Sequence, residues 1–297
     1  MSNVVRGTRA WPRRIALALV LLLMPVVGLR AAETTAVRFP SLDASRTELA
    51  GLLSRPAAPG RHAAVVMMHG CSGAYGKSGN LHGTMRAWLE RLGDWGYVVL
   101  LVDGFTPRGY RSVCDLKERP IDAHSDRPFD AYGALAWLQA QDFVRADRVA
   151  LLGWSHGAMA MLAAMEAGAP ARFGAGPGRF RAAAGYYPGC AQLASRGGWR
   201  PYAPLLVLAG GVDDWTPPGP CVAMLERARA AGAPAEIVVY ATAYHGFDHP
   251  NLPVRTRIAR NNDWRQPERR VHLGSDPVAR AASIVKLQAF LQSSFAD

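Results

Sequence analysis

The sequence predicts an α/β fold with a mostly parallel central sheet and helices on both faces. Six short apolar runs alternate with segments in which apolar residues recur every three or four positions. The runs are continuously apolar and most end at or near glycine, which is typical of strands that are covered on both faces. They lie at 63–68, 97–102, 149–152, 182–187, 205–208 and 237–240.

The segments between these runs have the pattern of amphipathic helices. Helices are predicted at 81–95, 130–141, 156–166, 219–231 and 277–295. Gly96 ends the first helix, and Ser275-Asp276-Pro277 caps the last one with proline in the first turn. Before the first apolar run, residues 34–39 and 47–53 predict an antiparallel hairpin.

The first 32 residues have the organisation of a secretory signal peptide. Four arginines and no acidic residue precede a 15-residue apolar stretch, and Ala31-Ala32 follows soon after it. An uncleaved membrane anchor is the alternative, but the stretch is shorter than the about 20 residues of a typical span. We therefore expect a periplasmic or secreted protein whose mature part, residues 33–297, is a single domain that is not embedded in a membrane.

The charge and cysteine composition exclude several classes of partner. The net charge is +11, but residues 1–32 contribute five arginines to it. The other arginines are scattered and not clustered with aromatic residues, which argues against a nucleic-acid partner. The four cysteines lack the spacing of a zinc site, and neither a metal nor an organic cofactor is predicted. In an exported protein an even number of cysteines suggests two disulfides, whose pairing the spacing leaves open.

Chemically active side chains follow several of the predicted strands. Parallel strands end at the same edge of a sheet, and ligands bind at that edge. The residues that follow the strands are His69-Gly70-Cys71-Ser72-Gly73, Asp103, Ser155, Asp213 and His245. Their convergence predicts an active site at this edge.

The sequence Gly153-Trp154-Ser155-His156-Gly157 is that of a nucleophile elbow. An apolar strand precedes Ser155 and an apolar helix follows it, as an elbow requires. The flanking glycines relieve crowding around a strained residue. We expect Ser155 to be the nucleophile and the backbone amide of His156 to be one donor of an oxyanion hole. The alternative is an ordinary serine in a strand-to-helix turn.

An acid and a histidine follow later strands, in the chain order that a serine–acid–histidine triad can use. Asp213, after the run that ends at 208, is the preferred acid. Asp214 is the alternative acid, and a surface or helix-capping role would also explain it. His245 is the first histidine after the last run and is preferred as the base over His249.

The loop after the first apolar run is the expected source of the second oxyanion donor. The candidate is the backbone amide of Cys71. Cys71 as a thiol nucleophile is the alternative, but this residue does not lie on an elbow. His69 is interpreted as a hydrogen-bonded anchor of the loop and not as a proton carrier.

Six motifs together resemble the dienelactone hydrolase family of α/β-hydrolases. They are HGCSG at 69–73, GYVVLLVDGFTPRG at 96–109, RVALLGWSHG at 148–157, YYPGC at 186–190, GGVDDWTPP at 210–218 and AYHGFDH at 243–249. The resemblance implies the α/β-hydrolase fold, with Ser155 as nucleophile, Asp213 as acid and His245 as base. The namesake enzymes of the family have a cysteine nucleophile, so Ser155 makes this chain look more like a general carboxylesterase.

The resemblance also implies how the cysteines pair. In the implied fold the strands that end at 68 and 102 are neighbours, and so are those that end at 187 and 208. Bridges between Cys71 and Cys114 and between Cys190 and Cys221 would each join adjacent loops at the edge that carries the site.

Two long segments with little apolar pattern, residues 105–130 and 250–276, are expected to form the rim of the site. Arg108 in the first segment is a candidate for binding an anionic group of the substrate, with a loop-ordering role as the alternative. Three aromatic residues beside site residues are candidates for an apolar wall: Trp154, Tyr187 and Trp215.

The sequence thus predicts a serine hydrolase that cleaves a small-molecule ester or lactone through a covalent acyl-enzyme. A peptidase or amidase of the prolyl-oligopeptidase type is the first alternative, although the chain has no room for a propeller. A non-catalytic binding protein of the same fold is the second alternative, against which the three intact triad residues argue.

Overall fold

The predicted strands and helices are present in the structure, a computed structural model that describes Met1, residues 33–260 and residues 268–296. The strands of its larger sheet are β1 (Glu33–Pro40), β2 (Glu48–Arg55), β3 (His62–Met68), β4 (Val98–Asp103), β5 (Val144–Trp154), β6 (Ala182–Tyr186), β7 (Leu205–Gly210) and β8 (Ala235–Tyr240). The helices are α1 (Gly83–Asp94), α2 (Arg127–Gln139), α3 (His156–Met165), α4 (Ala169–Arg172), α5 (Ala191–Ser195), α6 (Gly219–Ala230) and α7 (Pro277–Phe295). Apart from Met1, the signal peptide predicted over residues 1–32 lies outside the described residues.

Parallel pairing brings the candidate site residues to one edge of the larger sheet. The strand order is β1-β2-β4-β3-β5-β6-β7-β8. β1 and β2 form the predicted antiparallel hairpin, and the pairs from β4 to β8 are all parallel. Met68 of β3 lies in register with Val102 of β4 and Gly153 of β5, so the loops that follow these strands start side by side.

The central strands are continuously apolar because helices cover the sheet on both faces. In β3, Val66 and Met68 belong to one core while Val65 and Met67 belong to the other, as the alternation of side chains along a strand requires. Helices α2, α3 and α6 contribute to the first core, and α1 and α7 contribute to the second.

The second predicted rim segment contains a hairpin that the apolar pattern did not indicate. Strands β9 (Arg255–Arg260) and β10 (Glu268–Leu273) pair antiparallel as a separate two-stranded sheet. The sequence of β9, RTRIAR, lacks the alternation that predicts a strand. A parallel bridge joins Leu273 to His245, which places this hairpin beside the site.

The first predicted rim segment has a small core of its own. Its members are Cys71, Phe105, Val113, Cys114 and Ile121. The segment contains a 3-10 helix over Thr106–Arg108, and α2 begins within it at Arg127. Residues that the apolar pattern left without structure are therefore held in place beside the ends of β3 and β4.

Both disulfides implied by the family resemblance are present. The Cα atoms of Cys71 and Cys114 are 4.8 Å apart, and those of Cys190 and Cys221 are 5.0 Å apart. Structural disulfides are typical of proteins in oxidising compartments. Among the helices that the structure describes, none is long and apolar enough to cross a membrane.

Candidate active site

Ser155 occupies the sharp turn between β5 and α3. Its backbone has φ 50° and ψ −114°, a conformation that costs a non-glycine residue about 1–3 kcal/mol. The strand ends at Trp154 and the helix begins at His156, so the strain is confined to one residue. This is the geometry that the elbow sequence predicts.

The glycines on either side of Ser155 are required by close contacts between backbone segments. A Cβ atom on Gly153 would lie 2.3 Å from the carbonyl oxygen of Gly157, and one on Gly157 would lie 2.0 Å from that of Met68. The first turn of α3 therefore packs directly on the end of β3. This packing brings the loop after β3 next to residue 156.

His245 lies between Ser155 and Asp213. Its Nε2 is 3.0 Å from Ser155 Oγ, and its Nδ1 is 2.8 Å from Asp213 Oδ2. A carboxylate only accepts, so Nδ1 carries the proton and Nε2 is left to accept the serine proton. The structure thus brings together the three residues selected from the sequence, one from each loop after β5, β7 and β8.

The Asp213 carboxylate is buried and saturated with donors. The residue is 3 % exposed. Its Oδ1 accepts from the backbone amides of Trp215 and Thr216 at 2.9 and 2.8 Å. The Thr216 hydroxyl lies 3.0 Å from Oδ2 and 3.0 Å from the carbonyl oxygen of Tyr187. Thr216 was not predicted from the sequence, although an aspartate side chain commonly accepts from backbone amides two and three residues later, as in an Asx turn.

The alternative acid and the alternative base have other partners. Asp214 accepts from the backbone amide and from the ring of His272, both at 2.7 Å, and so tethers β10. His249 lines the cavity described below, and its Nδ1 accepts from the amide of Asn251 at 3.0 Å. The hydrogen bonds that link an acid through a histidine to Ser155 are therefore made by Asp213 and His245, and not by Asp214 or His249.

Cys71 and His156 lie in the two segments that meet at Ser155. A Cβ atom on Gly70 would be 3.6 Å from Ser155 Cβ, which shows how close the Cys71 loop comes. Neither the Cys71 nor the His156 amide is used in the turn and loop hydrogen bonds of the described residues. The disulfide removes the thiol that Cys71 would need as a nucleophile.

Two buried imidazoles, His69 and His156, lie beside this pair of amides. Burial, and then the neighbouring Arg127 charge, hold the pKa of both groups well below the ordinary histidine value, so both rings are neutral. His69 Nδ1 donates to the carbonyl oxygen of Gly70 at 2.8 Å, which agrees with the predicted anchoring role. Within the described residues, no group of three or more His, Cys, Asp or Glu side chains is arranged to hold a metal ion.

A cavity of about 240 Å³ opens over Ser155 and His245. The three predicted wall residues line it: Trp154, Tyr187 and Trp215. The ring centroids of Tyr187 and Trp215 lie 4.5 and 4.9 Å from that of His245. Both rim segments also contribute, with Cys114 from the first and Leu252, Arg255, Arg257 and Leu273 from the second.

Arg108 lies outside this lining and orders the loop instead of facing the cavity. Its guanidinium forms a bidentate pair with Asp130, at 2.8 and 2.9 Å, and a further bond to Asp43 at 3.0 Å. The Asp130 side chain is fully buried, so it needs this partner. Binding of an anionic substrate group by Arg108 stays a prediction, and the pairing of both terminal nitrogens with Asp130 and Asp43 favours the alternative, a loop-ordering role.

Asp248 lies near the site and was not among the residues predicted from the sequence. It is 1 % exposed. Its Oδ2 accepts from the indole N–H groups of Trp88 and Trp154, each at 2.7 Å, and its Oδ1 accepts from the Tyr187 hydroxyl at 2.6 Å. Burial raises the pKa of Asp248, and these donors oppose the rise. Asp248 thereby fixes two of the three aromatic wall residues.

The chain matches one family model, described as the dienelactone hydrolase family, over residues 49–268. The chain belongs to the dienelactone hydrolase family. The match covers most of the chain and includes Ser155, Asp213 and His245, and it confirms the resemblance seen in the six motifs. Membership supports hydrolase chemistry. A comparison of the sequence with curated proteins found no match.

Solved structures of several hydrolases share the fold. A dienelactone hydrolase-like promiscuous phosphotriesterase from metagenomic libraries is 20% identical, with a TM-score of 0.64 over 89% of this chain and 99% of that one. Thermogutta terrifontis esterase 2, phosphorylated by paraoxon, is 17% identical, with a TM-score of 0.56 over 87% and 92%. Porphyromonas gingivalis dipeptidyl peptidase 4 is 17% identical, with a TM-score of 0.61 over 89% of this chain and 36% of that one. At these identities the likeness shows the fold alone, which is the predicted α/β-hydrolase fold.

Proposed function

We propose that this protein is a serine hydrolase that cleaves small carboxylic esters or lactones through an acyl-enzyme. The observation that carries the proposal is the hydrogen-bonded series from Ser155 through His245 to Asp213, with distances of 3.0 and 2.8 Å. The strained backbone at Ser155 supports the same chemistry, and so do the Cys71 and His156 amides, which take no part in the turn and loop hydrogen bonds of the described residues. Family membership supports the reaction class.

In the first half of the reaction, Ser155 Oγ attacks the carbonyl carbon while His245 Nε2 takes its proton. The carbonyl oxygen becomes an oxyanion and accepts hydrogen bonds from the amides of Cys71 and His156. Asp213 stabilises the imidazolium that forms. His245 then protonates the leaving alkoxide, and the acyl group remains on Ser155. In a lactone, that alkoxide stays attached to the acyl group.

In the second half, water attacks the acyl-enzyme while His245 Nε2 accepts a proton from it. The same two amides hold the second oxyanion. Its collapse breaks the bond to Ser155 Oγ, which takes the proton back from His245. One ester and one water thus give one carboxylic acid and one alcohol, and the enzyme returns to its starting state.

The cavity favours a compact substrate with an apolar part. Its volume of about 240 Å³ is below the about 300–1,000 Å³ of sites for drug-sized ligands. The lining that the structure describes contains no Asp or Glu side chain, and besides His245 it contains four basic ones: His82, His249, Arg255 and Arg257. A peptidase that binds an amino terminus needs an acid to pair with the ammonium group. For this reason we favour an ester or lactone over a peptide.

Labelling with a fluorophosphonate tests the proposal. We expect mature wild type, residues 33–297, to be labelled once and to hydrolyse members of a panel of short-chain aryl esters and small lactones. In Ser155→Ala, labelling should vanish and turnover should fall by about 10⁴-fold or more, with an unchanged circular dichroism spectrum. A folded wild type that is neither labelled nor active on the panel would instead support the non-catalytic binding role.

We further propose that residues 1–32 are a cleaved signal peptide and that residues 33–297 work as one domain in an oxidising compartment. The two disulfides support this location. Fractionation of expressing cells with N-terminal sequencing tests it, and we expect a periplasmic or secreted product that begins near residue 33. An intact chain in the membrane fraction would instead support the alternative, in which residues 1–32 are an uncleaved membrane anchor.

A further inference from the structure

We propose that Arg127 is a positioning residue for both halves of the oxyanion hole. The inference rests on the proposed function, because an oxyanion forms only if Ser155 attacks a carbonyl group. Arg127 is the first residue of α2 and lies at the end of the first rim segment. Nothing in its local sequence distinguishes it from a surface arginine in the first turn of a helix.

One guanidinium nitrogen of Arg127 contacts both backbone segments that would supply the oxyanion hole, the loop that contains Cys71 and the start of α3 at His156. Its Nη1 donates to the carbonyl oxygen of His69 at 2.6 Å and lies 3.3 Å from Nδ1 of His156. An NH₂ group of a guanidinium carries two protons, so it can donate to both acceptors at once. His69 lies two residues before Cys71, and His156 contributes the other amide. Arg127 therefore links the two backbone segments whose amides would meet the oxyanion.

The neutral state of His156 makes this link possible. A guanidinium can only donate, so His156 Nδ1 has to be the acceptor. Burial and the Arg127 charge keep the pKa of His156 low, which leaves the lone pair on Nδ1 free. His69 is also neutral, and its Nδ1 proton is committed to Gly70. Arg127 thus joins the His69 carbonyl group to the His156 ring, and both histidines are neutral.

The burial of Arg127 carries a cost in free energy that its hydrogen bonds offset only in part. The residue is 0 % exposed, and its Nε and Nη2 have no hydrogen-bond partner among the described residues. The nearby Asp130 carboxylate is bound by Arg108. Burial lowers the pKa of Arg127 to about 10. Replacing buried ions by apolar residues of similar volume often leaves a protein as stable as before, or more stable. A buried charge beside a catalytic candidate therefore favours a functional role.

The charge of Arg127 would act in the same direction as its hydrogen bonds. In a medium of low dielectric constant, a buried cation stabilises a nearby negative charge more strongly than it does in water. The substrate carbonyl is neutral, and the negative charge develops only in the transition state. Loss of Arg127 should therefore lower kcat while leaving KM nearly unchanged.

The experiment compares Arg127→Met and Arg127→Lys with Tyr132→Phe as the matched control. Tyr132 lies on the same helix, is fully buried and donates to the carbonyl oxygen of Ala164 at 2.6 Å, outside the cavity lining. For each protein we would measure kcat, KM, Tm, the final extent of fluorophosphonate labelling and the Ki of phenylboronic acid. The boronic acid adds to the serine oxygen and forms a tetrahedral anion, so its Ki reports on the oxyanion hole.

For Arg127→Met we expect kcat per labelled site to fall about 10- to 100-fold and the Ki to rise by a similar factor, with KM within about twofold. Arg127→Lys keeps the charge but not the planar fork, so it should lose about three- to tenfold in both quantities. Tyr132→Phe should lower Tm and leave kcat and Ki unchanged.

Arg127 variants whose kcat per labelled site and Ki equal those of wild type, with only Tm lowered, would overturn the inference. Should Arg127→Met not fold, the same comparison with Arg127→Lys decides. A wild type that is neither labelled nor active would refute the proposed function, and the inference with it. Active wild type with equally active Arg127 variants would refute the inference alone.

Discussion

The two sides of Ser155 have opposite hydrogen-bonding character. The oxyanion side, defined as residues 69–71 with Arg127 and His156, has a surplus of donors among the described residues. The backbone amides of Cys71 and His156 take no part in turn and loop hydrogen bonds, and Nε and Nη2 of the Arg127 guanidinium have no hydrogen-bond partner. The acid–base side, defined as residues 213–216 and 245–248, has two buried carboxylates whose oxygens each accept at least one hydrogen bond.

This difference follows the charges that the proposed reaction creates. A negative charge develops on the substrate oxygen, so donors must be held ready and unused on that side. A positive charge develops on the imidazole of His245, so a carboxylate must already be fixed next to it. On both sides, groups are therefore held in place before the reaction to stabilise a charge that forms during it: unpaired donors for the oxyanion and a fixed carboxylate for the imidazolium.

The largest effect is expected for Asp213→Asn on the acid–base side. Asparagine keeps the shape but cannot hold the proton on His245 Nδ1 with a charged acceptor, and a wrong tautomer leaves Ser155 without a base. We expect kcat to fall by about 10⁴-fold with KM little changed, measured on the best aryl ester of the panel. Asp214→Asn is the control, since Asp214 pairs with His272. Equal losses in the two variants would contradict the assignment of the acid.

The next effect is expected for the bridge on the oxyanion side. The disulfide to Cys114 and the amide of Val113, 2.8 Å from the Cys71 carbonyl oxygen, hold the loop of the Cys71 amide. We expect Cys71→Ala with Cys114→Ala to lower kcat by about 10-fold or more and the free energy of unfolding by about 2–4 kcal/mol. Stopped-flow ester hydrolysis and urea unfolding measure the two quantities.

The second bridge is a matched control for the first. Cys190 and Cys221 are separated by 31 residues, against 43 for the first bridge, so loop entropy predicts a similar loss of stability. Neither cysteine lines the described part of the cavity. We expect Cys190→Ala with Cys221→Ala to lose stability without losing kcat. If both double variants lose kcat equally, the first bridge acts only through global stability.

A smaller effect on turnover is expected for Asp248→Asn. The amide can still accept through one oxygen, but its NH₂ group faces donors that need an acceptor. We expect the free energy of unfolding to fall by about 2–3 kcal/mol and kcat to fall about fivefold as Trp154 and Tyr187 lose their fixed positions. Trp88→Phe removes one of the three donors and should have a weaker effect on both. Unchanged stability in Asp248→Asn would show that the carboxylate is not required there.

Residues that follow their own strand could be predicted from the sequence, and residues fixed by distant partners could not. Ser155, Asp213 and His245 each lie in the loop that follows an apolar run, and parallel register then brings them together. Asp248 is 160 residues from Trp88 in the chain and 94 from Trp154. No local pattern indicates that a loop aspartate collects those donors.

The positions of Arg108 and Arg127 also depend on distant partners, so the sequence did not predict either of them. Arg108 follows a strand end, which suggested a place at the site, but Asp130 binds it from across the loop. Arg127 starts a helix, where an arginine is ordinarily exposed, yet it is fully buried against His69, 58 residues away. The hairpin β9–β10 escaped prediction because β9 does not alternate between apolar and polar residues and β10 alternates only over Arg270–Leu273, which is too short to stand out.

The smallest effect is expected for Asp276, a saturated carboxylate outside the cavity lining. It caps α7 by accepting from the amides of Val278 and Ala279 at 3.1 and 3.0 Å. The bond from Ala279 is the main cause that lowers the pKa of Asp276 from its ordinary value. A carboxyl group with a lowered folded-state pKa contributes stability above its unfolded-state pKa, and this contribution is lost as the pH falls through the folded-state pKa.

We therefore expect Asp276→Ala to lower the free energy of unfolding by about 1 kcal/mol at pH 7. The difference from wild type should shrink below about pH 4, and kcat at pH 7 should be unchanged. Urea unfolding of both proteins over a series of pH values measures this difference. A loss of kcat would extend the acid–base side into α7, since Arg280 of that helix donates to the carbonyl oxygen of Asp248 at 3.0 Å. A stability difference that does not change with pH would show that the cap acts without its charge.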